Sequence, residues 1–128
     1  GLTPQAVNKL GGYRVQGKEA EKANLMINTA KELVEAGADM ILLECVPTSL
    51  AELITKKVRV PVIGIGAGNV TDGQVLVMHD MLGITSGHKP KFVKNFMDGA
   101  VSVQDAFVRY DQAVKSGEFP SADYSFAG

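Results

Sequence analysis

The sequence holds one cysteine and no tryptophan, and no stretch of it approaches the roughly 20 consecutive apolar residues that a bilayer span requires. An internal disulfide and a membrane-spanning helix are both excluded as organising features. There is also little charge of one sign: 13 basic against 14 acidic side chains leave a formal net charge of -1. No broad field invites DNA, RNA or an anionic membrane surface, so a small-molecule partner is expected, with neither nucleic acid nor membrane. The opening residues Gly1-Leu2-Thr3-Pro4-Gln5 carry no initiator methionine, basic n-region or apolar h-region. They read as the interior of a longer chain in a reducing, cytoplasmic setting.

What is present is a chain of 128 residues, 45% hydrophobic, without low-complexity sequence, internal repeat or Pro/Gly-rich linker. One domain is expected, with no boundary inside residues 1–128. Between Glu19 and Ala36 the residues Ala23, Met26, Ile27, Ala30, Leu33 and Val34 recur at helical spacing, and Gly37 supplies a stop. Asp39 to Cys45 then reads as a strand too apolar to be half exposed. A second helix is predicted from Ser49 to about Lys57, with Ser49 and Glu52 at capping-box spacing and Leu50, Leu53 and Ile54 as its buried stripe. Val60 to Ile65 makes the next strand, with Pro61 tolerated at its start. Gln74 to Met78 is a shorter candidate strand, followed by a long polar connection through Gly83, Ser86, Gly87 and Pro90. The last predicted helix, Ser102 to Lys115, shows Val103, Phe107, Tyr110 and Val114 on one face.

Strands alternating with helices imply an α/β fold with a parallel sheet, either open or closed into a barrel. A (β/α)8 barrel takes about 250 residues. The chain is about half that size, and a few parallel strands alone leave unpaired edges, so a missing N-terminal portion is expected.

The most informative segment is Met40-Ile41-Leu42-Leu43-Glu44-Cys45, an apolar strand that ends in a carboxylate. Burying an acid without a partner costs free energy or forces its protonation, so a core strand gains nothing from it. Alternation puts Met40, Leu42 and Glu44 on one face and Ile41, Leu43 and Cys45 on the other. In a barrel the carboxylate would stand at the C-terminal mouth, where barrel enzymes keep their reacting groups. Two readings of Glu44 follow, a catalytic acid or base and a strand-end salt bridge to a neighbouring lysine. With Glu44 turned inward, Cys45 belongs to the helix layer, as a packed thiol rather than a nucleophile.

Other motifs are less specific. The loop Gly64-Ile65-Gly66-Ala67-Gly68-Asn69 suits either a phosphate cradle or close backbone approach, but lacks both the P-loop ending and the dinucleotide-binding spacing. His79, beside Asp80, and His88 have no zinc-ligand spacing and read as loop residues. Lys89, Lys91 and Lys94, interleaved with Phe92 and Phe96, suit nucleic acid or folate glutamate tails, or a solvated edge anchored by two aromatics.

Several strings together resemble the ketopantoate hydroxymethyltransferase family. They are Gly1-Leu2-Thr3-Pro4-Gln5, Gly11-Gly12-Tyr13-Arg14-Val15-Gln16-Gly17, Leu43-Glu44-Cys45-Val46-Pro47, Pro61-Val62-Ile63-Gly64-Ile65-Gly66-Ala67-Gly68-Asn69, Thr71-Asp72-Gly73-Gln74 and Val77-Met78-His79-Asp80. They run in family order and correspond to the C-terminal half of its sequence. The resemblance implies the C-terminal half of a (β/α)8 TIM barrel of the phosphoenolpyruvate-mutase-like kind, incomplete as a single chain. It implies a transferase of the pantothenate and coenzyme A pathway that moves a hydroxymethyl unit from 5,10-methylenetetrahydrofolate to 3-methyl-2-oxobutanoate, giving 2-dehydropantoate. Glu44 matches the family's general base. Mg2+ is the implied metal, its ligands and the substrate-holding Lys and His lying in the N-terminal half, so this chain is expected to be inactive alone. The family is cytoplasmic and homo-oligomeric, and Phe107, Tyr110 and Phe119 are candidates for subunit contacts. Two alternatives stand beside this: a non-catalytic half-barrel assembly module, and a related barrel lyase acting on phosphoenolpyruvate-like substrates.

Overall fold

The computed structural model describes residues 1–127 and has a mixed α/β architecture built on a small parallel sheet. A 3-10 turn at Pro4–Ala6 and a short helix α1 (Val7–Leu10) lead into α2 (Ala20–Glu35), β1 (Ile41–Glu44) and α3 (Thr48–Lys57). Then come β2 (Val62–Ile65), β3 (Gly73–Gln74), α4 (Met78–Met81), α5 (Val103–Lys115) and a 3-10 turn at Ala122–Tyr124. The sheet order is β1-β2-β3, all parallel, with Ile41 opposite Val62, Glu44 opposite Ile65, and Ile63 opposite Gly73.

The apolar periodicity predicts α2 well, because its buried residues Ala30 and Val34, with Ala23, Met26 and Ile27 partly covered, form one stripe. Leu33 falls outside that stripe and is half exposed. The stripe packs with Leu50, Ala51 and Ile54 of α3 against Ile41, Leu43 and Val62 of the sheet. That cluster is the main core, and it covers one sheet face only. The opposite face, with Met40 and Leu42 each 56% exposed, carries no such layer.

Several expectations are corrected. The anticipated capping box at Ser49 does not form: α3 begins at Thr48, its cap makes no side-chain bond, and Glu52 instead pairs with Lys56 one turn on. The carbonyl of Phe126 takes over the capping role, accepting from the Thr48 N–H at 3.0 Å. Of the candidate strand Gln74–Met78 only Gln74 lies in the two-residue β3, because Val77 already serves as the N-cap of α4 and its carbonyl accepts from Met81 N–H. In α5 the buried residues are Ala106 and Ala113, with Tyr110 and Val114 partly covered, whereas Val103 and Phe107 of the predicted face stay exposed. Small side chains let the helix approach Phe96 and Phe119, so alanines face the core and the larger residues do not.

The long connection of residues 83–102 is anchored rather than free. Phe92 and Phe96 are buried, Phe96 stacking edge-on against Tyr110 and Phe119 at 5.3 and 5.2 Å. Phe119, 3% exposed, is a core residue and not a free surface for subunit contact. No helix among the described residues is long and apolar enough to cross a membrane.

Candidate active site

β1 and β2 end side by side, and Glu44 closes β1 opposite Ile65, the last residue of β2. The alternation read from sequence holds through this point: Ile41 and Leu43 are 6% and 2% exposed, while Leu42 and Glu44 face the uncovered side. Glu44 is only partly buried and forms no ion pair among those found in the described residues. The salt-bridge reading therefore lacks its lysine. The chain passes back over this strand end at its start, where Leu2 N–H donates to the Glu44 carbonyl at 2.8 Å. Gly1 lies so close that a Cβ there would come within 2.8 Å of the Glu44 nitrogen.

A small apolar cluster sits over the strand ends, formed by Leu2, Cys45, Ile65 and Phe92 with Phe126 packed against it. This corrects the placement of Cys45, whose thiol joins that cluster instead of the helix layer. The cause is its backbone, which takes a left-handed φ of 51° and turns the chain out of the strand. Burial, with the Glu44 charge as a second cause, pushes the thiol up to about 11. Such a thiol stays protonated and packs, as read from sequence. Burial also raises the Glu44 carboxyl above its ordinary value of 4.5. A carboxyl moved toward neutrality suits proton transfer.

The glycine loop after β2 serves close approach. A Cβ at Gly66 would meet the Phe92 ring at 2.6 Å, and one at Gly68 would meet Thr48 Oγ1 at 2.5 Å. Gln74 Nε2 donates to both the Gly68 carbonyl and Thr71 Oγ1 at 2.9 Å, tying the loop to β3. The fold thus draws the loop against Phe92 and the start of α3, which fixes where β2 ends beside Glu44.

The remaining candidates lie elsewhere. His79 and His88 are exposed, and no group of three or more His, Cys, Asp or Glu among the described residues could hold a metal ion. Lys91 donates to the Ser125 carbonyl and lies over the Phe126 ring, and Lys94 lies over Phe96, so these lysines line an edge that aromatics anchor. A cleft of about 350 Å³ beside α5 is lined by Lys94, Asp98, Arg109 and Glu118 among others, and it contains no residue of the strand ends. Sequence reasoning missed that Leu2, Phe92 and Phe126 gather with Cys45 and Ile65 over the strand end. Their apolar character is visible in the sequence, but their meeting over one strand end is not.

Comparison with known proteins gives this site a family context. Residues 1–122 match the family described as ketopantoate hydroxymethyltransferase. The chain is 64% identical over 126 residues to 3-methyl-2-oxobutanoate hydroxymethyltransferase 2 of Hahella chejuensis, covering 98% of this chain and 48% of that protein. A 3-methyl-2-oxobutanoate hydroxymethyltransferase of Marinobacter nauticus is 60% identical over 126 residues, with the same coverage of both. One from Stutzerimonas stutzeri is 59% identical over 128 residues, covering 99% of this chain and 48% of that protein. The chain spans about half the length of the curated relatives it matches. With the family match running over nearly all of its residues, the chain belongs to the ketopantoate hydroxymethyltransferase family.

Proposed function

We propose that residues 1–128 form the C-terminal half of one (β/α)8 barrel of the phosphoenolpyruvate-mutase-like kind, without an internal domain boundary. In the completed barrel the reaction is hydroxymethyl transfer from 5,10-methylenetetrahydrofolate to 3-methyl-2-oxobutanoate, with Glu44 as general base. The observation that carries this reading is the place of Glu44: a partly buried carboxyl with a raised pKa, at the C-terminal end of a parallel strand, on the face that no helix covers.

The chemistry asks one thing of this chain. A carbon next to a ketone holds its proton firmly, and the base must take it in an apolar setting with its own pKa near the working pH. The Glu44 carboxylate receives that proton, and the electron pair left on carbon forms the bond to the one-carbon unit as one of its two carbon–nitrogen bonds to the folate breaks; water supplies the hydroxyl that replaces the second, and the folate nitrogens take up the protons and leave as tetrahydrofolate. Ile65, opposite it in the sheet, belongs to an apolar cluster with Leu2, Cys45 and Phe92 at the same strand end. The family resemblance implies Mg2+, but the described residues offer no set of ligands for it. The ion's ligands, like the groups that hold the keto acid, would come from the other half of the barrel.

The test has two arms. The 128-residue chain is assayed for folate-dependent hydroxymethyl transfer alone and after mixing with an N-terminal fragment of the family enzyme. Activity is expected only in the mixture; turnover by the lone chain would overturn its dependence on the other half. In the active mixture, Glu44→Gln should lower kcat by about 10²- to 10⁴-fold with keto-acid binding retained. Retained turnover in that variant would remove Glu44 from the role of base.

A second reading, a non-catalytic half-barrel that persists by packing on another chain, is favoured by one observation, the exposure of Met40 and Leu42 on the uncovered sheet face. Light scattering of the mixture, read beside its turnover, separates the two. Assembly without activity would favour the module. Homo-oligomer formation by the complete protein remains compatible with both, and a substrate panel that includes phosphoenolpyruvate-like acids addresses the lyase alternative.

A further inference from the structure

The alternation of β1 breaks at a single residue, and it breaks immediately after Glu44. In an unbroken strand residues two apart share a face, so Val46 would follow Glu44 onto the uncovered side. Instead Val46 is fully buried and packs with Ile41 and Leu43 of the opposite face. The residue between them, Cys45, is the one non-glycine with a positive φ, 51°, among the described residues. That left-handed step lets the chain keep a carboxylate on the open face and return to the core one residue later than the pleat allows.

Resting on the reading of Glu44 as the base, we propose that Cys45 is a positioning residue, and that it acts through its left-handed backbone rather than through its thiol. Three hydrogen bonds hold the step from both sides. Cys45 N–H donates to the Ile65 carbonyl at 3.0 Å, its carbonyl accepts from Gln16 N–H at 2.8 Å, and Val46 N–H donates to the Gly66 carbonyl at 3.0 Å. The two amides keep the chain in register with β2 past the end of the strand. The Gln16 contact comes from a different part of the sequence and fixes the carbonyl's direction. A left-handed conformation in a residue other than glycine persists only where its surroundings over-determine it, and such positions cluster at functional sites. Here the surroundings are these bonds together with the burial of the side chain among Leu2, Ile65 and Phe92.

Backbone and packing make opposite forecasts for one set of substitutions. Gly and Asn adopt the left-handed region readily but fill the apolar cluster poorly, whereas Val fills it and resists that conformation. Cys45→Gly, Cys45→Asn, Cys45→Ala and Cys45→Val are made in this chain and assayed in the assembled barrel for kcat and for KM toward the keto acid. With the backbone in control, Gly and Asn hold kcat within about threefold, while Val lowers it on the order of 10²-fold with KM nearly unchanged, the loss typical of a misplaced reacting group. The opposite order, Val close to the parent and Gly worst, would overturn the proposal. Should the Val variant not assemble, Gly and Ala decide, since both remove the thiol and only Gly relieves the left-handed step; kcat for Gly above that for Ala is expected, and equality or reversal would overturn the proposal. Glu44→Gln, run alongside, keeps the failures apart. If that variant still turns over, the base reading fails, and the position of the Glu44 side chain in crystals of the Gly and Ala variants then tests the backbone step: displaced in Ala and kept in Gly if it stands, unmoved in both if it does not.

Discussion

The two faces of one sheet differ more than any two elements of this chain. On one face Ile41, Leu43 and Val62 are sealed under α2 and α3, with Ile54 and Val62 fully buried. On the other, Leu42 and Glu44 of the same strand, with Met40 just before it, remain open to solvent or only partly covered. Both faces are apolar in sequence, so hydrophobicity alone does not tell which one a helix will cover. The difference teaches that the helices of this chain cover only one of two apolar faces, and Glu44 is the polar group that the strand delivers to the other.

Substitutions on the two faces test this comparison most strongly. Ile54→Ala on the sealed side should cost about 2–5 kcal/mol in urea-induced unfolding, the price of an unfilled site in a packed core. Leu42→Ala, on the open side, should change the stability of the chain alone by no more than about 0.5 kcal/mol. If, as proposed, a second half completes a barrel over this face, the same change should cost about 2 kcal/mol or more there, because that side chain would then be buried. Equal costs of Leu42→Ala with and without the other half would break the comparison, since the open face would not be an interior.

A pH measurement sharpens the electrostatic part. Burial raises the Glu44 pKa above 4.5, so the folded chain holds that proton more firmly than the unfolded chain does. The stability associated with the protonated form is fully present below the ordinary carboxyl value and is lost as pH rises through the raised one. Glu44→Gln should therefore raise the melting temperature near neutral pH and leave it almost unchanged at acid pH. A variant with the parent's pH dependence would show that Glu44 is as well solvated as an exposed acid.

The smallest effect is expected away from the sheet. Tyr110 Oη is buried without a hydrogen-bond partner among the described residues, and burial raises its pKa. Tyr110→Phe should be neutral or stabilise the chain by up to about 1 kcal/mol, measured by thermal unfolding. A clear destabilisation would mean that the hydroxyl has a partner which this chain alone does not supply.

Much of this was legible in the residues, for reasons that can be named. The period-two pattern of Met40 to Leu43 separates the faces correctly, and Ala30 and Val34 lie on the helical stripe that seals one of them. The stripe of α5 was misread because Val103 and Phe107 dominate any hydrophobic tally, while the residues that meet Phe96 and Phe119 are the small Ala106 and Ala113. The capping box at Ser49 had the right letters, but the Phe126 carbonyl, 78 positions away from Thr48 in sequence, reached the helix start first. Val75 N–H still donates to the Gly64 carbonyl of β2 at 3.0 Å, but the chain turns into α4 at Val77 before a longer strand can pair.

The sequence by itself determined the α/β class, the apolar strand with an acid at its tip, and the family strings that link this chain to a hydroxymethyl transferase. Those are properties of local pattern, and local pattern survives in any context. Only the tertiary structure decided which face of the sheet is sealed, that the Cys45 thiol belongs to the cluster over the strand ends, and that a left-handed step there separates Glu44 from Val46. The reason is physical: each depends on backbone direction and on partners such as Leu2, Gln16, Phe92 and Phe126, which meet only when distant segments fold together.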